Sequence, residues 1–368
     1  MRILAVTPYY RPEGGGLERY AHELLRRLAR RHEVTVLASG TQAAVEEHHG
    51  VVVERHVPPF RLGNTPIDPG LRRRVARRIG RERPDVVWAH SPVPFPAEMA
   101  WLASRGRAPF ALTYHAGRLN GSGRLLGLAA AVDRATLERR MMAESAGLIA
   151  VGPYVRDHAL ARHRSRVRIV PPGVDGDLFA PGPQPTGQDI LFVGPLDRSY
   201  RWKGLDVLLR AFAEVRAHAP EARLVLVGQG DRAPALQARA AREGLVLRGR
   251  LPEPALAAAY RSCAALCLPS TTDAESFGMV LAEANACGRP VVGSRVGGIP
   301  DFVRPGDNGL LATPGDAGDL AENLLVLLED PQAANAMGRR GRERVLREHD
   351  WDQLAKATET VLEEAAGH

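Results

Sequence analysis

Two glutamates eight residues apart are the most chemically suggestive pair in the chain. Glu275 and Glu283 stand in Leu268-Pro-Ser-Thr-Thr-Asp-Ala-Glu-Ser-Phe-Gly-Met-Val-Leu-Ala-Glu-Ala-Asn-Ala-Cys-Gly288. An apolar run of strand length ends at Leu268, a polar loop follows, and helical spacing begins near Phe277 with Gly288 as its stop. That pattern puts Glu275 in the loop facing a helix N-terminus and Glu283 about two turns further along. First-turn amides have no intrahelical acceptor, and the helix dipole favours negative charge there. The N–H groups of Phe277, Gly278 and Met279, flanked by Ser276 and Val280, are therefore offered to an anion such as a diphosphate. The two carboxylates can accept hydrogen bonds from hydroxyls at the two ends of the same ligand. The competing reading is a surface glutamate beside an ordinary capped helix.

Cations for such an anion stand in Phe192-Val-Gly-Pro-Leu-Asp-Arg-Ser-Tyr-Arg-Trp-Lys-Gly-Leu205, a strand-to-helix loop holding Arg198, Arg201 and Lys203. There they can neutralise charge building on a leaving diphosphate in place of a metal ion. Lys203 is one of only two lysines against 47 arginines, although a solvated cation is the ordinary outcome for any one of them. Near the start, Gly14-Gly15-Gly16 precedes a helix with apolar residues at Leu17, Tyr20, Ala21, Leu24, Leu25 and Leu28. Gly15 and Gly16 let backbone approach a ligand closely and aim free amides at it, unless the glycines simply make a turn. His115 lies just past a strand, where parallel sheets place ligand-contacting loops. Asp175-Gly-Asp177 has the form of a metal-binding pair but lies just beyond Pro171-Pro-Gly-Val, and no metal site is assigned.

These residues need a scaffold of short buried strands separated by helices, the alternation typical of parallel sheets covered by helices. In the first half the expected strands are 3–6, 34–38, 51–54, 86–89, 110–113, 148–151 and 167–170. In the second half they are 190–193, 224–227, 245–247, 265–268 and 291–293. The Pro/Gly stretch 179–188 divides the two series, giving an α/β chain with an N-terminal domain over 1–178 and a C-terminal domain over 179–350. The final helix, 351–368, carries Leu354, Ala357 and Val361 on one stripe; its pattern does not give its docking partner, for which the N-terminal domain is a candidate. With 368 residues, 45% of them hydrophobic, the chain has enough to bury two cores.

No segment approaches the roughly 18 to 20 apolar residues of a membrane span; the longest candidate is Leu125 to Val132. The start lacks a signal-peptide pattern, and Cys263, Cys267 and Cys287 read as reduced core thiols, so a cytoplasmic location is expected. The net charge of +7 comes with 5% aromatics and no nucleic-acid motif, so no nucleic-acid partner is expected. Residues 71–83 set Leu71, Val75 and Ile79 on one stripe amid arginines. That stripe either packs on the protein with a solvated Arg face or lies on an anionic membrane, which would make the chain peripheral at the inner membrane face.

Taken together, six segments in order resemble the family 4 retaining glycosyltransferases (glycosyl transferases group 1) over nearly the whole chain. They are Gly14-Gly15-Gly16, Tyr114-His115-Ala-Gly117, Pro171-Pro-Gly-Val-Asp175, Lys203-Gly204, the Glu275-x7-Glu283 block and Val296-Gly-Gly-Ile-Pro-Asp301. The resemblance implies a GT-B fold, two Rossmann-like domains whose parallel sheets face across a cleft, with the donor mostly in the second domain and the acceptor mostly in the first. It implies a nucleotide diphosphate sugar as co-substrate, no cofactor and no metal. The acceptor is a lipid, a glycan or a small natural product. By the same resemblance Glu283 meets the donor ribose, Glu275 meets sugar hydroxyls, and the amides after it meet the diphosphate or sugar. Lys203 and an arginine of its loop bind the diphosphate, and His115 lies near the reacting carbon. Such enzymes keep the anomeric configuration, the donor phosphate helping to deprotonate the acceptor. Two departures stand out: Pro195 follows Gly194 where the family usually has Arg, so that Arg198, or in its place Arg201, could supply that cation, and Asp301 replaces the more usual Glu. A nucleotide-sugar 2-epimerase and a noncatalytic sugar-nucleotide binder are the rival functions on the same scaffold.

Overall fold

The computed structural model describes residues 1–62, 65–116 and 137–367. Gly117 and the run Leu125 to Val132 lie outside the described residues. The chain divides into two compact units, Met1–Pro172 with Trp351–His368, and Gly173–Asp350.

The first unit is built on an eight-stranded sheet in the order β10-β9-β8-β7-β1-β2-β4-β3. Its strands are β1 (Arg2–Thr7), β2 (Glu33–Ser39), β3 (Ala44–His48), β4 (Val51–His56), β7 (Val86–Ser91), β8 (Phe110–Tyr114), β9 (Gly147–Ala150) and β10 (Val167–Ile169). Between β4 and β7 a small hairpin joins β5 (Phe60–Leu62) to β6 (Thr65–Ile67). All ladders of the large sheet are parallel except β3 on β4. Central strands of such a sheet are covered on both faces, which is why they read as continuous apolar runs. β3 escaped the sequence reading because Ala-Val-Glu-Glu-His is exposed throughout and has no apolar period. It forms because His49 and Gly50, at φ 53° and 77°, make the tight turn that folds it back on β4.

The terminal helix Trp351–Ala366 belongs to this first unit and packs on the helix Gly16–Leu28 and on β9. Trp351, Leu354, Ala355, Val361 and Leu362 form its buried face. Ala357, expected on that stripe, is exposed, and Thr358 takes the inward position. Polar ties complete the docking: Arg27 Nε donates to Asp352 at 2.9 Å, and the His32 ring meets Glu359 at 2.6 Å.

The second unit holds a six-stranded, wholly parallel sheet, β13-β12-β11-β14-β15-β16. Its strands are β11 (Asp189–Val193), β12 (Arg223–Val227), β13 (Leu245–Gly249), β14 (Ala265–Leu268), β15 (Val291–Ser294) and β16 (Gly309–Ala312). β16, four residues beginning with glycine, was not anticipated; its pairing with β15 makes it a strand.

The division between units falls after Pro172, earlier than the expected boundary at 178. Val174 donates its amide to His349 O at 2.8 Å, and Phe179 is fully buried against Tyr260, 5.8 Å between rings. The Pro/Gly stretch that follows also lies on the second unit, where Arg289 donates to Pro183 O at 2.7 Å. Its composition marks a break in secondary structure, and the contacts assign it a side. Cys263, Cys267 and Cys287 are free thiols enclosed in this unit, their acidity suppressed by burial, with Cys263 and Cys287 pushed up to about 12.

Candidate active site

In the second unit the loop after β14 folds Glu275 back onto Lys203. Lys203 Nζ donates to Glu275 Oε2 at 2.6 Å, and Ser270 Oγ donates to the same oxygen at 3.0 Å. Both side chains are largely enclosed, with 19% and 9% of the lysine and glutamate exposed. Glu275 Oε1 makes no hydrogen bond among the described residues, so one oxygen of an oriented carboxylate is left to meet a ligand. Trp202 lies under the ammonium, 4.4 Å from Nζ to the ring centroid, and its carbonyl accepts from the Thr271 amide at 2.7 Å. Two loops distant in sequence are thus joined by backbone as well as by charge.

The helix after Glu275 begins at Met279 rather than near Phe277, because Gly278, at φ 79°, is its left-handed cap. Leu281 N turns back to Gly278 O at 2.8 Å, and the amides of Gly278, Met279 and Val280 have no other backbone acceptor among the described residues. Ser276 and Phe277 fall in the loop, Phe277 with its ring buried against Phe302 at 5.4 Å. Glu283 is 3% exposed and accepts from the Tyr260 hydroxyl at 2.6 Å. Val296-Gly-Gly-Ile-Pro-Asp301 supports this loop from beneath: Gly298 N donates to Glu275 O at 2.8 Å. A Cβ on Gly297 would stand 2.1 Å from Glu275 O, and one on Gly298 1.8 Å from Ser276 O. Ser270 and Tyr260 were not singled out in the sequence, since each acquires its role through a contact with a residue several turns or a loop away.

In the first unit His115 follows β8 and is 9% exposed. Its ring meets Tyr20 edge-on at 4.8 Å and 88°, so the helix behind the triple glycine packs directly on it. The triple glycine itself departs from expectation. Gly15 N donates to Glu18 Oε2 at 2.7 Å, so this amide is occupied by its own helix, and Gly14, at φ 108°, lies so close to Glu18 that a Cβ would reach within 2.3 Å. Gly16 opens the helix, and among the described residues its amide has no such partner. His90, at the end of β7, was missed: its Nδ1 lies 2.9 Å from His115 Nε2. Two histidines at the ends of neighbouring strands were the available signal, but the adjacency of β7 and β8 is a property of the sheet order.

The family described as Glycosyltransferase Family 4 matches residues 14–178, and Glycosyl transferases group 1 matches residues 187–330. The chain is 31% identical to a GDP-mannose-dependent alpha-(1-6)-phosphatidylinositol monomannoside mannosyltransferase of Mycolicibacterium smegmatis, covering 95% of each. It is also 31% identical to a phosphatidyl-myo-inositol mannosyltransferase of Mycobacterium tuberculosis, over 100% of this chain and 98% of that one. The chain belongs to the family 4 glycosyltransferases. A sucrose-phosphate synthase structure from Thermosynechococcus elongatus superposes with a TM-score of 0.80 over 98% of both chains at 21% identity, a likeness that carries the GT-B fold.

In this glycosyltransferase Arg198 and Arg201 line a cavity of about 410 Å³ together with Asp206, Arg232, Ala235, Leu236 and Arg239. Lys203 and Glu275 are not among its walls, and among the described residues the Glu275 carboxylate is bonded by Lys203 and Ser270 and by neither arginine side chain. Asp175 Oδ1 accepts from the amides of Asp177 and Leu178 at 3.1 and 3.0 Å, capping its own turn. Asp175→Ala is expected to lower stability by about 1 kcal/mol, the usual worth of such a cap, and to leave nucleotide affinity in EDTA unchanged; loss of that affinity by titration would restore a ligand role. The helix Leu71–Glu82 buries Leu71, Val75 and Ile79 and turns Arg72, Arg73, Arg77 and Arg81 outward. The apolar stripe is therefore core, and no helix among the described residues is long and apolar enough to cross a membrane.

Buried histidines are expected to make the first unit of the glycosyltransferase acid-labile. Burial pushes His90 down to about 3 and His22 down to about 4; it also lowers His115, with His90 adding to the effect. Below pH 6.5 the unfolded chain takes up protons on these rings while the folded chain does not, so stability falls as pH falls. Each ring contributes about 1.4 kcal/mol per pH unit. Urea midpoints stepped from pH 6.5 to 4 are expected to drop steadily, less so in His22→Gln; a flat profile would contradict the buried neutral rings.

Proposed function

We propose that this glycosyltransferase moves mannose from GDP-mannose to a hydroxyl of a phosphatidylinositol-type lipid, with retention of configuration and without a divalent metal. The observation that carries the donor half is the enclosed Lys203–Glu275–Ser270 cluster beside the open first-turn amides of Met279 and Val280. Lys203 and those amides suit a diphosphate, Glu275 Oε1 suits a sugar hydroxyl, and Glu283, held by Tyr260, suits the ribose. Mannose, the guanine nucleotide and the lipid are supported by what the two mycobacterial relatives are named for. In the transfer the bond from the anomeric carbon to the phosphate oxygen breaks and a bond to the acceptor oxygen forms on the same face. The acceptor proton passes to the departing phosphate, whose charge Lys203 offsets. Metal independence is supported by Lys203 standing ready as the cation and by Asp175 being engaged in its own turn.

The outward face of the helix Leu71–Glu82 supports a lipid acceptor. Arg72, Arg73, Arg77 and Arg81 are exposed, and arginines near an anionic leaflet contribute about 1 kcal/mol each. With the apolar stripe buried, the contact is electrostatic and weakens with salt.

A thermal-shift comparison of GDP, UDP, ADP and dTDP and their sugars in EDTA tests the donor, since a ligand that binds only the folded state raises its melting temperature. Selective stabilisation by GDP and GDP-mannose is expected. Mannose incorporation into phosphatidylinositol vesicles in EDTA tests the rest. A preference for another nucleotide overturns the donor assignment, and activity that returns only with added magnesium overturns metal independence.

A further inference from the structure

His115 is paired with a second histidine that has no part in the site as drawn so far. His90 Nδ1 lies 2.9 Å from His115 Nε2; His90 is fully enclosed and His115 nearly so. The His90 ring is set between Trp88, 4.6 Å away, and the edge of Tyr20 at 6.2 Å, and its Nε2 has no hydrogen-bond partner among the described residues. Both rings are neutral in this setting, so each carries one N–H, and a single proton lies between the two facing nitrogens.

Two arrangements satisfy that count. If His115 donated from Nε2, His90 would accept at Nδ1 and carry its own proton on Nε2, leaving a buried N–H with no acceptor. If His90 donates from Nδ1, its Nε2 is a bare lone pair, and His115 accepts at Nε2 and carries its proton on Nδ1. A buried donor without an acceptor is the rarer and costlier fault, because the full desolvation of the N–H goes uncompensated. The second arrangement places the outer N–H on Nδ1 of His115, which also makes no hydrogen bond among the described residues but, unlike His90 Nε2, is not a fully enclosed unpartnered atom; it is therefore favoured.

We propose that His90 is a positioning residue that holds His115 in the Nδ1–H tautomer, so that His115 meets the sugar as a hydrogen-bond donor and not as a proton acceptor. The inference rests on the reading of His115 as facing the transferred sugar. Donation from Nδ1 matches a sugar hydroxyl oxygen or the ring oxygen, whereas the Nε2 lone pair is already used.

Nitrogen-15 spectra of the histidine side chains in the full chain read the tautomer directly. Wild-type His115 is expected to show a protonated Nδ1 and a bare Nε2. In His90→Phe, which has no donor, the proton should move to Nε2, and His90→Gln, whose amide can donate, should restore the wild-type pattern. Turnover is expected to fall by ten- to a hundredfold in His90→Phe with KM for the donor little changed. The fall should be absent when His90→Phe is added to His115→Ala, as expected of residues acting through one contact. A protonated Nε2 on His115 in the wild type, or an unchanged tautomer in His90→Phe, overturns the proposal; if His90→Phe does not fold, the wild-type spectrum alone decides. Wild-type turnover by His115→Ala, with the Nδ1–H tautomer observed, would leave the tautomer assignment standing and remove the sugar-facing role of His115.

Discussion

Glu275→Ala is expected to lower kcat/KM by a factor of about 100 to 1,000, equivalent to about 3 to 4 kcal/mol of transition-state stabilisation at 1.36 kcal/mol per decade. The substitution removes the acceptor oxygen proposed for the sugar. It also releases Lys203, whose ammonium is held 2.6 Å from Glu275 Oε2, and leaves Ser270 Oγ without its acceptor. Both losses bear on the same step, because the lysine is the cation proposed to offset charge on the departing diphosphate. Glu275→Gln separates them: the amide oxygen can still accept from Ser270 and from Lys203, but the negative charge that orients the ammonium is gone. An intermediate loss is expected for the glutamine variant, with nucleotide affinity closer to wild type than turnover is. Steady-state kinetics with melting curves on the same preparations check this, and wild-type turnover in a folded Glu275→Ala protein would sink the site assignment.

Gly204→Ala is expected to destabilise the protein by at least about 3 kcal/mol, far more than one methyl group on a surface would. Gly204 ends the short helical turn Arg198–Lys203 at φ 76° and opens the helix Leu205–His218. The left-handed region costs alanine about 1 to 2 kcal/mol on its own. Beyond that, a Cβ here would stand 1.8 Å from Pro269 O, a collision with backbone that no rotamer change relieves. Pro269 leads into Ser270 and Thr271, and Thr271 N reaches back to Trp202 O at 2.7 Å, so the collision separates the two loops that bring Lys203 to Glu275. Chemical denaturation should show a lowered midpoint, and the surviving folded fraction should show weakened nucleotide binding. A variant with wild-type midpoint and affinity would mean that the two loops are not in register as described.

The two cases differ in how far the chain announces them. Glu275 and Glu283 were legible because their spacing relative to one strand and one helix is local, and local geometry follows from propensity and period. The buried strands were legible for the same reason: a parallel strand covered on both faces is a continuous apolar run, as in Leu4-Ala-Val or Leu266-Cys-Leu. Strands without that burial were not. β3 is exposed along its whole length, and β16 is a short Gly-Leu-Leu-Ala that pairing alone makes a strand. Lys203-Gly204 could be noticed as a motif, but the reason for its glycine is a carbonyl 65 residues further on, and that proximity belongs to the sheet order. The same holds for His90, which stands 25 residues from His115 in the chain and 2.9 Å from it in space. Gly15 shows the converse: its amide was read as open to a ligand, and Glu18, three residues away, takes it. Residue types and their local periods thus indicated the α/β fold class, and six short motifs in order indicated the family to which the chain belongs. Which side chains touch, which amides remain open and which nitrogen of a histidine faces a ligand were decided only when the sheets brought distant loops together, because hydrogen bonds and steric exclusion act over a few ångströms in space and are indifferent to separation along the chain.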